Sequence, residues 1–282
     1  MDDIYSRIKI IPADLCLVHE GIIEKWVGQI ASNIKDQGTL KNPVIVTWHD
    51  PYYVVLDGMH RFAALQQLEI RDILVCEVDY FSPKIILEGW DAFIFRQIGA
   101  RNLLCELFPE SEGYRYHATT KMTDAKLRVA QRQSLLAVGD KDGEILLLEK
   151  ENLNEKNRVE ELCLVTDKVD RVLSERDLKV LYVDNSLTLD DFESSSAQSL
   201  VLRPQFSKQE VVDHTLNKKL FPPKSTRHLI PERPLRVDLD LSLLRANIDL
   251  KTKNNLLQEH LKWCYENNRV RFYPESVYVF AD

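Results

Sequence analysis

An α/β protein of two mixed regions is predicted by three features of the sequence. A strand, a tight turn and a helix follow one another from Tyr52 to Leu68. The order strand, strand, helix, strand frames that unit between Asn42 and Val78. Beyond Gly139, short apolar runs separated by charged residues announce a second set of strands. The first region is expected over residues 1–110 and the second over 111–282, with a cleft between them holding the site.

Ile8-Lys9-Ile10-Ile11 reads as a first strand that Pro12 ends. Ile22, Ile23, Trp26, Val27, Ile30 and Ile34 recur at helical spacing, and Gly38 stops that helix. Asn42 to Trp48 is a strand joined through His49-Asp50-Pro51 to the strand Tyr52 to Leu56. Phe62, Leu65 and Leu68 mark a helix beginning near Met59, and Ile73 to Val78 supplies another strand. Ser82-Pro83 reads as a helix start, with Ile86, Trp90, Phe93 and Ile94 as its apolar stripe. A helix is expected from about Thr123 to Leu136. Strands are expected at Ile145 to Leu148, Leu162 to Val165, Val180 to Val183 and Leu200 to Leu202, with a loop over Asp190 to Ser196. Ser207-Lys208-Gln209-Glu210 is a capping box opening a helix that ends at Phe221-Pro222-Pro223. Leu235 to Leu244 alternates like a half-exposed strand, Leu257, Leu261 and Cys264 mark a last helix, and Val277 to Phe280 reads as a closing strand.

Composition narrows the function classes. With 44% apolar and 29% charged residues, the 282-residue chain is an ordinary globular protein. Its 44 acidic against 37 basic residues, a net charge of −7, argue against a protein whose main work is nonspecific binding to a polyanion. Five scattered cysteines form no Cys-x-x-Cys pair, so neither a zinc site nor a disulfide framework is indicated, and buried thiols in a reducing cytoplasm are expected. The acidic start Met1-Asp2-Asp3-Ile4 has no long apolar core, and no stretch approaches the roughly 20 apolar residues of a membrane span.

Two stretches carry chemistry. In Asp57-Gly58-Met59-His60-Arg61, Gly58 permits a tight turn and close approach, and the helix behind it offers unpaired N–H groups and a positive dipole end. His60 and Arg61 add donors suited to an anion, and Asp57 is placed to hold a metal or accept a proton. Asp-Gly is also an ordinary turn pair, and such a histidine and arginine can simply be solvated. In Lys224-Ser225-Thr226-Arg227-His228, two cations, two hydroxyls and an imidazole follow two prolines. A solvated basic loop is the plain alternative there.

The motif Asp57-Gly58-Met59-His60-Arg61 between such a strand and helix resembles the nucleotide-phosphate motif of the ParB/sulfiredoxin fold. Together with His19-Glu20 and Lys224 to His228, it is similar to the free L-serine kinases of that fold, which make O-phospho-L-serine from ADP or ATP. Members of that family often carry a second histidine where this chain has Met59. The resemblance implies that Gly58, Met59, His60 and Arg61 cradle the nucleotide phosphates, with Asp57 supporting Mg²⁺ or orienting the acceptor hydroxyl. It makes Glu20 the general base for the serine hydroxyl, and puts Thr226 and His228 at the amino-acid site beside Lys224, Ser225 and Arg227, with Trp90 as a wall. The product would feed cysteine or siderophore-precursor synthesis. The competing class is a ParB-like nucleotide-binding regulator or partition protein that binds DNA. Sulfiredoxin chemistry is disfavoured because no cysteine neighbours Asp57 to Arg61.

Overall fold

The computed structural model describes residues 2–273 apart from 142, 187 and 188. The closing strand expected over Val277 to Phe280 lies outside the described residues. The chain opens with α1 (Asp2–Arg7), β1 (Ile8–Pro12), β2 (Cys16–Val18), α2 (Glu24–Gln37) and β3 (Thr39–Leu40). The motif region is β4 (Val44–His49), β5 (Tyr52–Asp57), α3 (Met59–Gln67) and β6 (Asp72–Glu77). Then come β7 (Ile86–Glu88), β8 (Trp90–Ile94), α4 (Ala100–Leu107), β9 (Tyr114–Thr119), α5 (Met122–Ala130), β10 (Leu136–Asp140), β11 (Ile145–Lys150) and α6 (Glu155–Glu175). The rest is β12 (Val180–Asp184), α7 (Leu189–Ser194), β13 (Ser199–Leu202), α8 (Lys208–Leu216), β14 (Arg227–Leu229), β15 (Leu239–Asp240), α9 (Leu241–Arg245) and α10 (Leu250–Glu266). Among these helices none is long and apolar enough to cross a membrane.

The chain divides into two compact units. The first comprises Met1–Cys16, Ile23–Asp79 and Glu232–Asp282, and the second Leu17–Ile22 and Tyr80–Pro231. A division at residue 110 therefore differs from the observed one in three ways, the first being that Leu17–Ile22 joins the second unit. Residues from Tyr80 onward belong to the second unit because β8 hydrogen-bonds with β12 and β13. The C-terminal segment returns to the first because Asn254 of α10 accepts a hydrogen bond from the Ile10 amide at 2.8 Å and donates to its carbonyl at 2.9 Å. That side chain pairs the backbone of β1 as a neighbouring strand would, which closes an edge.

In the first unit β4 and β5 form the expected hairpin, and α3 carries the chain across so that β6 lies parallel to β4 on its other side. β1 pairs antiparallel with β6, Ile8 opposite Cys76. Gly38 ends α2 in the left-handed region at φ 65°, as its place in the sequence predicts. In the second unit a six-stranded antiparallel sheet runs β12-β8-β13-β10-β11-β9 among the described residues. Its core gathers Phe93, Met122, Val129, Leu147, Phe192 and Leu200.

Five element predictions are corrected. The helix expected after Ser82-Pro83 is β7 and β8, since Trp90 to Ile94 is a continuous apolar run broken only by Asp91 and fits a central strand as well as a helical stripe. Leu162 to Val165 is not a strand but part of the 21-residue helix α6, whose buried Leu162, Val165, Val169 and Leu173 define one face. The helix expected to Leu136 stops at Ala130, where Arg132 at φ 60° turns the chain into β10, and Asp190 to Ser194 is helical rather than loop. Positive φ at Arg236 and Asp238 breaks the strand expected over Leu235 to Leu244, leaving only Leu239–Asp240.

Lys253 of α10 is buried, its ammonium donating to Asp72 at 2.8 Å and to the Leu244 carbonyl at 2.7 Å. Lys253→Met should destabilise the first unit by about 2–3 kcal/mol, because it strands both acceptors. Urea unfolding measures this; a loss below about 0.5 kcal/mol would mean that the C-terminal helix is not tied in through this pair.

Candidate active site

In the first unit the sequence motif takes the strand-turn-helix form expected of it. A bulge between Ile45 and Val46 shifts the register at the end of β5 and sets Asp57 opposite Ile45. Gly58 sits at φ 88°, which favours glycine, and the Arg61 guanidinium packs within 2.8 Å of where a Cβ would stand. The half-buried Met59 starts α3 and contributes its amide to the unpaired first turn. His60 Nε2 accepts the Ile23 amide at 2.9 Å, which makes that nitrogen the unprotonated one and leaves Nδ1 to carry the hydrogen. The Trp26 ring lies 5.3 Å from His60. Arg61 donates to the Pro43 carbonyl at 2.7 Å, and burial lowers its pKa from the usual arginine value. Asp57 Oδ2 accepts from Arg233 at 2.5 Å.

The second unit builds the other half of the predicted constellation around a carboxylate. Leu17–Ile22 is an excursion of the N-terminal sequence into this unit, fixed by the Gly21 amide on the Phe221 carbonyl at 2.9 Å and the Phe221 amide on the His19 carbonyl at 2.8 Å. That pairing buries Glu20. Its Oε1 accepts the Lys224 amide at 2.5 Å, while Oε2 accepts the Thr226 amide at 3.0 Å and the Thr226 hydroxyl at 2.8 Å. A carboxylate has about four acceptor positions, so three are filled and one remains on Oε1. Because the Thr226 hydroxyl spends its only hydrogen on Glu20, the 2.8 Å contact with His19 Nε2 must be a bond donated by the imidazole.

Around this turn the remaining candidates take different roles. Trp90 donates its indole N–H to the Thr226 carbonyl at 3.0 Å, and Lys224 and Arg227 lie over its ring at 5.4 and 5.1 Å. Arg227 is held by Glu88 at 2.8 Å and Asp184 at 3.6 Å, so its charge is balanced within the protein. The Ser225 hydroxyl is buried and has no hydrogen-bond partner among the described residues. His228 Nε2 lies 2.8 Å from the Tyr80 hydroxyl, and the His19 and His228 rings meet edge-on at 5.1 Å. Burial first, then His19 and Lys208, holds the His228 pKa well below the ordinary histidine value, so this imidazole is neutral at physiological pH. Burial raises the Tyr80 pKa, which keeps the phenol protonated.

Residues 11–85 match the ParB N-terminal domain family. An ATP-dependent L-serine kinase of Staphylothermus marinus is 27% identical over 244 residues, covering 84% of this chain and 90% of that protein. The structure of SbnI with a C-terminal truncation, from Staphylococcus aureus, superposes with a TM-score of 0.72 at 19% identity, covering 94% of this chain and all of that one. A free serine kinase in complex with AMP superposes at 0.68 and 20% identity, covering 84% and 93%. The resemblance to the free L-serine kinases of ParB/sulfiredoxin fold holds.

Five side chains in the ParB-type unit and its partner unit escaped the motif reading: Arg233 on Asp57, Tyr80 on His228, and Arg203, Asp91 and Asp170 behind the 223–226 turn. Only Asp91 carried a signal, as a charge inside the apolar run Trp90 to Ile94. Among the described residues no three His, Cys, Asp or Glu side chains gather into a metal cage. One carboxylate, Asp57, at the end of β5 just before the N-terminus of α3, would suit Mg²⁺, which is commonly held by one or two carboxylates and nucleotide oxygens.

Burial raises the Asp91 pKa to about 6, against the pull of Arg203 and Lys126. The folded state therefore holds this proton more tightly than the unfolded chain, so Asp91 costs stability progressively as pH rises from about 4 to 6. Asp91→Asn removes that cost. Its stability relative to the parent should rise by about 1 kcal/mol between pH 5 and pH 7.5 in urea unfolding, and a pH-independent difference would refute the assignment.

Proposed function

We propose that this chain phosphorylates the hydroxyl of free L-serine to give O-phospho-L-serine, with ATP or ADP as donor. The observation that carries the reading is the buried Glu20 carboxylate. It is fixed by two backbone amides and one hydroxyl, yet keeps one acceptor position on Oε1. A serine hydroxyl must lose its proton as it attacks phosphorus, and that position on Oε1 would take the proton. The similarity to curated serine kinases over most of both chains favours this chemistry over a DNA-binding regulator, which would share only the ParB-type region.

The division of labour follows from the charges. Phosphoryl transfer spreads negative charge over the transferred oxygens, so fixed donors and positive charge do most of the work. The first-turn amides of α3, the Nδ1–H of His60 and the Arg61 guanidinium would bind the nucleotide phosphates. Arg233 adds a cation beside Asp57. When bound, Mg²⁺ would supply charge neutralisation between phosphate oxygens, with Asp57 as its protein ligand. Lys224, Ser225, Thr226 and His228 would form the amino-acid side, where Trp90 and the neutral His228 and Tyr80 give the serine a wall of limited polarity. Arg227, balanced by Glu88 and Asp184, would shape the turn rather than meet the substrate carboxylate. The five cysteines form no disulfide, which suits a reducing cytoplasm, although only Cys16 and Cys76 are buried as expected and Cys105 is exposed.

Phosphorus NMR with Mg²⁺ and L-serine, offering ATP and ADP in separate tubes, should give an O-phosphoserine resonance. ADP appearing in the first tube or AMP in the second names the donor. Absence of serine-dependent product from both would overturn the reading in favour of the regulator. Glu20→Gln should lower turnover by about 10²-fold or more, as expected for loss of a general base, while nucleotide affinity changes less than about twofold. Unimpaired turnover would remove Glu20 from the base role.

A further inference from the structure

We infer that Arg203 is the positioning residue of the amino-acid site, acting on Glu20 through a single peptide group; this rests on the serine kinase reading above. Arg203 follows β13, is 4% exposed, and reaches the back of the turn that holds Glu20. Its Nη1 donates to the Lys224 carbonyl at 3.0 Å and its Nη2 to the Pro223 carbonyl at 3.3 Å. The peptide joining Pro223 to Lys224 thus has the guanidinium on its C=O and, through the Lys224 N–H, the Glu20 carboxylate on its other end. A cation on the oxygen and an anion on the N–H polarise the same peptide in the same sense, which strengthens both bonds.

The guanidinium is itself fixed. Nη2 also donates to Asp170 Oδ2 at 2.6 Å, the Arg203 amide donates to Asp91 Oδ1 at 3.0 Å, and the group stacks over Tyr182 at 5.3 Å. Asp91 adjoins Trp90, whose indole grips a further carbonyl of the same turn, that of Thr226. Lys224 lies at φ 61°, a conformation unfavourable for a residue with a side chain, and it is held there with Arg203 on its carbonyl and Glu20 on its amide. A planar fork spans two successive carbonyls where a lysine ammonium would present one point charge.

Removing the fork that spans the Pro223 and Lys224 carbonyls should therefore loosen the turn that holds Glu20. In Arg203→Met, KM for serine should rise tenfold or more, with KM for nucleotide changing less than twofold. Arg203→Lys, which keeps the charge without the fork, should leave KM for serine raised.

Amide hydrogen exchange at Lys224 reads the turn without substrate, and should quicken at least tenfold in both variants. Unchanged serine constants and exchange in a folded variant would overturn the inference while leaving the kinase reading intact. If the parent protein makes no O-phosphoserine, the kinase reading fails, and exchange at Lys224 still decides whether Arg203 holds the turn. Should Arg203→Met not fold, Arg203→Lys carries the test through its serine KM and Lys224 exchange.

Discussion

The second unit is organised around one buried negative charge and the backbone amides that hold it. Glu20 comes from sequence that precedes the first long helix, yet it is bonded to Lys224 and Thr226, more than two hundred residues later. A buried carboxylate must be met by donors or be protonated, and here two of the three donors are backbone amides, which no side-chain change can remove. This constraint explains why Leu17–Ile22 leaves its neighbours to join the other unit, and why Phe221 pairs with that segment just before two prolines. It also explains a non-glycine residue in the left-handed region at Lys224: the turn must aim two of three successive amides at one carboxylate.

The strand-turn-helix form of Asp57 to Arg61 was legible because its geometry is local. A strand, a glycine with positive φ and a helix N-terminus lie within a few residues of one another, so the sequence window contains the whole device. The 224–228 cluster was legible as a concentration of polar side chains, but not in its internal division. Arg227 looks like a substrate donor in sequence; the register Arg227 opposite Glu88 in β14 and β7 turns it into half of an ion pair. Glu20 could be singled out only through family resemblance, because its partners are remote. Arg203 and Arg233 could not be found at all, since nothing in the spacing of a lone arginine tells which carbonyl or carboxylate it will meet.

The element errors share a cause. Trp90 to Ile94 and Leu162 to Val165 are short apolar runs, and a run of four or five carries no reliable period. The longer context decided each case. Leu162 belongs to a stripe continuing through Val169 and Leu173, whereas Asp91 to Ile94 of β8 are buried in succession, so that both faces of the strand are covered while β12 and β13 pair its edges. Strands with both faces covered lose the alternation that would mark them.

Stability does not account for the charges behind the turn. Asp91 and Asp170 each have a pKa near 6 because desolvation outweighs the pull of Arg203, so at neutral pH both are ionised at a cost to folding. His228 acts in the opposite direction: its lowered pKa means that the unfolded chain takes up the proton first, and stability is lost as pH falls below the ordinary histidine range. Acid therefore relieves the carboxylates while penalising the imidazole, and neutral pH does the reverse. Apolar side chains of similar volume would stabilise this region without that conflict. What they would not supply is a cation on the Pro223 and Lys224 carbonyls, an acceptor for the Arg203 amide, and a neutral ring against His19. The arrangement makes physical sense as geometry retained at the expense of stability, which is the usual condition of a site that must hold one carboxylate ready in a buried place.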